Sequence, residues 1–178
     1  MKFLILLGPK HSGKTSTGRE LAKMWNAPFY DLDTLIEERT GQSIRELYKA
    51  GEDLFQKEEA AALETLFASH NSGVLACSGS IIDNPPAMAL LKKESADYCT
   101  VYLEVPAETA WQRIVSQGEL PPFLEAATKE AAKEKHRSIH IRRGKDYKKK
   151  AAYSVFAEGK NPYELAEELC NLILYNNL

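Results

Sequence analysis

The chain holds 178 residues, 44 % hydrophobic and 27 % charged, with a net charge of −2. That length suits one domain with one core, and the near-neutral balance argues against nucleic acid as a main partner, because a phosphate-tracking surface leaves a basic excess. Three scattered cysteines (Cys77, Cys99, Cys170), without a CxxC or metal-like spacing, suit reduced thiols in a cytosol rather than a disulfide framework.

The first predicted element is a strand over residues 2–7, KFLILL. Its apolar run is too short for a signal-peptide core or a membrane span, so no membrane is expected. It leads straight into Gly8-Pro9-Lys10-His11-Ser12-Gly13-Lys14-Thr15, which matches G-x-x-x-x-G-K-[ST] at every fixed position. A strand before the loop and a helical pattern over 14–25 after it supply the required context. The glycines let the backbone curl so that successive N–H groups point at phosphate oxygens, and the helix adds its N-terminal dipole. The expected donor is a nucleoside triphosphate, held by Gly8, Lys10, His11, Ser12, Gly13, Lys14, Thr15 and Ser16. Lys14 is placed on the β- and γ-phosphates and the Thr15 hydroxyl on Mg²⁺. Lys10 has two open readings: a charge beside the γ-phosphate, or an exposed loop lysine.

A second strand over 28–30 ends at Asp31-Leu32-Asp33. In extended chain, residues i and i+2 point the same way, so both carboxylates face the cleft at the carboxyl ends of the strands. One carboxylate suits a Mg²⁺-bound water; the other suits an acceptor hydroxyl, orienting it or taking its proton. DLDT before Leu35 and Ile36 is equally ordinary capping chemistry. The neighbouring phosphate loop favours the catalytic reading.

Helices are predicted over 33–39, 43–69, 86–94, 107–116, 124–143 and 162–175, and strands over 73–77, 98–105 and 153–157. This alternation implies an α/β fold, a parallel sheet covered on both faces, with residues 1–178 as a single domain. The stretch 117–127, QGELPPFLEAA, is a loop candidate, and long loops in compact domains are often functional. His136 and His140, four residues apart, lack an acidic third ligand, so a surface position is expected for them. The basic run 142–150, RRGKDYKKK, is expected to be a solvated face rather than an anion site at Lys148–Lys150.

From the loop to residue 66 the order of features resembles the shikimate kinases, a branch of the nucleoside monophosphate kinase-like P-loop fold. The residues that carry it are GPKHSGKTSTGRELA (8–22), PFYDLDTLIEERTGQSI (28–44) and GEDLFQKEEAAALETL (51–66), followed by YLEVPAETAWQRI (102–114) and RGKDYKKKA (143–151). The resemblance implies a three-layer domain with a five-stranded parallel sheet, a helical acceptor-binding region over about 33–62 and a lid near 117–127. It assigns Lys14 and Thr15 to ATP and Mg²⁺, Asp31 to the magnesium shell, Asp33 to the acceptor hydroxyl, and Arg113 to the nucleotide side. It places Gln56, Glu59, Gly79 and Arg143 at the acceptor, with the step from Arg143 to Tyr147 matching the family's R-x-x-x-Y. Lys14, Asp33 and Arg113 are then the catalytic candidates. Three features depart from the family. Its F-R-x-x-E reads Phe55-Gln56-Lys57-Glu58-Glu59, its three-glycine turn reads Ser78-Gly79-Ser80, and its lid arginine falls at Leu120 or Pro121. A complete nucleotide loop beside an altered acceptor pocket implies an ATP-dependent kinase of a small hydroxylated metabolite, with shikimate doubtful; a cytoplasmic location is expected, and a monomer, with an oligomer left open. A true shikimate kinase with a rebuilt pocket and a non-catalytic ATP-binding sensor are the rival readings.

Overall fold

The computed structural model describes residues 2–93, 98–118 and 120–175. Five parallel strands, β1 (Phe3–Leu7), β2 (Phe29–Asp31), β3 (Gly73–Ala76), β4 (Tyr98–Glu104) and β5 (Tyr153–Phe156), lie in the order β2-β3-β1-β4-β5. β1 is central and pairs with β3 and β4 from Phe3 onward. Its five residues are all buried, and alternation divides them between two cores. Phe3, Ile5 and Leu7 join the core built by the helices after β2 and β3; Leu4 and Leu6 join the opposite one. A strand buried on both faces has to be apolar throughout, which is why FLILL shows no alternation.

Eight α-helices are found among the described residues: α1 (Lys14–Met24), α2 (Leu32–Thr40), α3 (Ile44–Ala50), α4 (Glu52–Ser69), α5 (Pro85–Lys93), α6 (Ala107–Ser116), α7 (Lys129–Lys150) and α8 (Pro162–Tyr175). Among these residues no helix is long and apolar enough to cross a membrane. The α/β class and five-stranded parallel sheet are as expected, with most boundaries within a residue or two. Residue 94, the predicted end of α5, lies outside the described residues.

Three expectations are corrected. The helix predicted over 43–69 is two helices, broken at Gly51, whose φ of 150° and ψ of 139° a side chain would resist. Ser43 opens the first of them with a capping box to Glu46. The helix predicted over 124–143 starts at Lys129, capped by Thr128, and runs on to Lys150. His136 and His140 are not on the surface, being only 6 % and 8 % exposed. They lie on the inner face of α7, where His136 packs on Trp111 and the His140 Nε2 meets the Val105 carbonyl at 2.8 Å. Burial pushes His136 down to about 4 and also lowers His140, so both are neutral members of a small core at the α6–α7 junction.

Candidate active site

Residues 8–15 leave the carboxyl end of β1 and turn into α1, whose first turn opens onto a cavity of about 550 Å³. Lys10, His11, Ser12, Gly13, Lys14, Thr15 and Ser16 all line it, as do Arg113 and both acids, Asp31 and Asp33. Gly8 forms the base of the loop, and its carbonyl and that of Pro9 accept hydrogen bonds from the buried Lys14 ammonium at 2.9 and 2.8 Å. Burial pushes Lys14 down to about 8, so it still carries its charge at neutral pH. His11 holds a left-handed backbone (φ 62°), a conformation that side chains adopt mainly where the surroundings enforce it. Its carbonyl accepts a 2.8 Å bond from Arg113 Nη1, which ties α6 to the loop. Burial, with the charges of Lys10, Lys14 and Arg113, takes its imidazole down to about 4.

Asp31 caps α2, as the capping reading of DLDT expects, and also reaches the phosphate loop. Its Oδ1 caps α2 by accepting from the Asp33 amide at 3.1 Å, and its Oδ2 accepts from the Thr15 hydroxyl at 2.7 Å. The geometry behind the pair differs from the expected one: Asp33 lies in the first turn of α2, not on extended chain, yet both carboxylates reach the same cavity. Asp33 is half-buried, and its Oδ1 is enclosed without a hydrogen-bond partner. Burial raises its carboxyl to about 6; the Asp31 charge adds to this, and Lys14 and Lys10 oppose it. The Thr15 hydroxyl and Asp31 carboxylate are hard oxygen donors, the set Mg²⁺ accepts when phosphates and waters complete its octahedron. Among the described residues no three His, Cys, Asp or Glu side chains form a metal cage, so the donor set fits an ion shared with a nucleotide.

Lys10, Asp33 and Gly79 also line a second chamber of about 40 Å³. This holds roughly two or three waters and no ring-sized metabolite. Ile44, Tyr48 and Phe55 form one wall, and Pro121, Pro122 and Phe123 from the predicted lid form the other. Of the lid residues, Glu119 lies outside the described residues. Arg45 on α3 fastens this wall, donating to the Leu120 carbonyl at 3.0 Å and pairing with Glu125 at 3.2 Å. A ring-sized molecule therefore needs this segment to lift. The chamber floor is Gly79, where an added Cβ would lie 2.6 Å from the Lys10 backbone nitrogen. Only glycine permits that approach of turn to loop.

The remaining predicted acceptor residues sit differently from their assignment. Glu59 is fully buried behind the wall, accepting from Ser78 Oγ and, at 2.7 Å, from Asn84 Nδ2. Burial raises it to about 7, with those two bonds pulling the other way. Gln56 donates its amide to the Asp83 carbonyl at 3.3 Å. Arg143 has its Nε on Asp83 Oδ2 at 2.8 Å and its Nη1 on the Gly79 carbonyl at 3.3 Å, with its guanidinium over the Phe123 ring. Both serine hydroxyls are likewise engaged within the protein, Ser78 with Glu59 and Ser80 with Tyr48 at 2.6 Å. Gln56, Glu59 and Arg143 thus support the chamber from behind, whereas Ser78 and Ser80 line it.

Sequence reasoning missed two groups. Lys160 and Pro162 line the phosphate cavity, beside Gln117 from the start of the predicted lid. Lys160 and Pro162 follow the carboxyl end of β5, and that sheet edge was the signal available. Asp83 carried no signal, because its role depends on two arginines some sixty residues away.

The model of the family described as shikimate kinase matches residues 10–174. A shikimate kinase of Streptococcus gordonii is 33 % identical over 166 residues, covering 92 % of this chain and 95 % of its own. A shikimate kinase of Flavobacterium psychrophilum is 27 % identical over 174 residues, covering 97 % and 99 %. Among solved structures, the shikimate kinase from Acinetobacter baumannii in complex with shikimate superposes with a TM-score of 0.88 at 31 % identity, covering 100 % of this chain and 96 % of that one.

Proposed function

The chain belongs to the shikimate kinase family of ATP-dependent small-molecule kinases, and on that premise we propose that it is a single-domain enzyme moving the γ-phosphoryl group of ATP onto a hydroxyl of a small polar acceptor, with shikimate a poor one. Family membership sets aside the reading as a non-catalytic sensor. One observation carries the proposal: Lys10, Asp33 and Gly79 line both cavities, so the two substrates would meet at the raised carboxyl of Asp33.

The acceptor hydroxyl gives its proton to Asp33, and its oxygen bonds the γ-phosphorus as the bond to the β-phosphate oxygen breaks and ADP leaves. A carboxyl that titrates near 6 is ionised at neutral pH yet basic enough to take a proton. Lys14 neutralises charge between β- and γ-phosphates, Lys10 stands beside the transferring group, and Arg113 fixes the loop through His11. Mg²⁺, held with the nucleotide by Thr15 and Asp31, would supply further charge neutralisation on the phosphate oxygens.

A second reading, shikimate as the acceptor, is favoured by the relatives and by the shikimate complex of the Acinetobacter baumannii enzyme. An ATP-consumption screen over hydroxylated metabolites, shikimate included, separates the two. The expected result is turnover of a neutral polyol and weak turnover of shikimate. Shikimate turnover at kcat/KM of about 10⁴ M⁻¹s⁻¹ or more establishes the second reading instead.

A further inference from the structure

Arg143 reaches the acceptor chamber from behind, and it does so already carrying a carboxylate. Asp83 closes the short 3-10 turn Ile81–Asp83, directly after the Ser78-Gly79-Ser80 floor. Arg142 grips it with both Nη atoms, at 2.7 and 2.8 Å, and Arg143 Nε meets its Oδ2 at 2.8 Å. Burial works against the ionised form, but the bonds and charges of the two arginines outweigh it and hold the Asp83 carboxyl below its ordinary range. The two arginines differ in surroundings: Arg142 is 55 % exposed and faces water, whereas Arg143 is 9 % exposed and faces the chamber wall. Gln56, on the other side, holds the backbone carbonyl of the same aspartate. Arg143, which the resemblance places at the acceptor, thus already pairs with a carboxylate of the protein.

We propose that Asp83 is a specificity-determining residue, a built-in counterion that occupies the Arg143 guanidinium and restricts the chamber to acceptors without a carboxylate. The acceptor class is a neutral cyclic polyol. With the Pro121–Phe123 wall lifted, its hydroxyl edge would face Asp33 and Lys10 and its C–H face would lie on Tyr48 and Phe55. A carboxylate entering here would have to share Arg143 with Asp83, two like charges at one buried cation, or displace Asp83 from it. The inference rests on the chamber being the acceptor site and names what that site accepts.

The test is calorimetric binding of shikimate and of its neutral carboxamide, in the presence of MgADP, to the full chain and to Asp83→Asn. The unaltered chain should bind the carboxamide at least as tightly as shikimate. Asp83→Asn should bind shikimate tighter by about tenfold or more, the scale of a freed charge-assisted contact, with little change for the carboxamide. Asp83→Ser serves where the asparagine variant fails to fold, and the comparison in the unaltered chain needs no variant at all. The proposal is overturned if the unaltered chain prefers shikimate to the carboxamide by about tenfold, or if neither variant gains shikimate affinity. Phosphoryl transfer is absent from this readout. A chain that shows the switch but phosphorylates nothing refutes the kinase reading alone, and efficient use of shikimate by the unaltered chain refutes the Asp83 assignment and the neutral acceptor while the kinase reading stands.

Discussion

Replacing Asp33 by Asn removes one ionisable group and changes almost nothing in volume, so it tests the proposed base on two independent scales. On the kinetic scale, loss of a general base costs about 10²–10⁴-fold in turnover. ADP affinity should stay nearly unchanged, because the proposed role puts Asp33 on the acceptor hydroxyl and not on the phosphates. In the unaltered chain, a carboxyl at about 6 gives a kcat/KM that falls roughly tenfold per pH unit below pH 6; the Asn variant should lose that acid limb. On the stability scale, the folded-state carboxyl lies about two pH units above its ordinary value of 3.8. The folded chain therefore binds this proton more tightly than the unfolded one, and the group destabilises progressively as pH rises from about 4 to 6. At about 1.4 kcal/mol per unit, the cost at neutral pH reaches about 3 kcal/mol as an upper bound. Asp33→Asn should then be the more stable protein at pH 7 and lose that advantage near pH 4. Steady-state kinetics from pH 5 to 8 and urea melts at both pH values measure the two effects. A variant that is slower, less stable at pH 7 and weaker for ADP would show Asp33 to be a structural or metal-site residue.

Lys14→Ala should lower turnover by about 10³-fold and weaken ATP binding; unchanged titration and turnover would refute the loop assignment. Gly79→Ala forces a Cβ to 2.6 Å from the Lys10 nitrogen. The strain should cost about 1–3 kcal/mol and weaken ATP binding with it, so an unchanged melting curve and ATP titration would show that the contact is slack. Arg45→Ala unfastens the wall over the small chamber. The acceptor KM should rise severalfold while MgADP affinity holds, and the reverse pattern would place Arg45 on the nucleotide side.

The phosphate loop was legible because all its information is local: fixed spacing, a buried strand before it and a helix after it. The strands were legible because burial on both faces leaves short uninterrupted apolar runs. What failed was information held across distance or hidden in polar letters. Gly51 inside a helical pattern looked tolerable, and only its backbone angles show two helices. Residues 144–150 carry almost no apolar periodicity, so α7 seemed to end early. Yet Ala132, His136, His140, Arg143 and Tyr147 repeat at steps of four, four, three and four and form its buried face. That spacing was in the sequence, obscured because His and Arg do not read as core letters. Gln56 and Glu59 were read as facing an acceptor, and the partners they satisfy in this structure, Asp83, Ser78 and Asn84, are ones that only the fold brings near.

Gly79 separates two kinds of freedom. It presses on the Lys10 backbone with no side chain between, while the hydroxyls of Ser78 and Ser80 on either side bond Glu59 and Tyr48. The turn works like a hinge pin between two interchangeable panels. Substitutions at 78 and 80 can redraw the acceptor chamber, its width, its polarity and the groups behind it, while the loop stays seated on its glycine. Single substitutions at 78 or 80 would then leave the seating of Gly79 on the Lys10 backbone untouched.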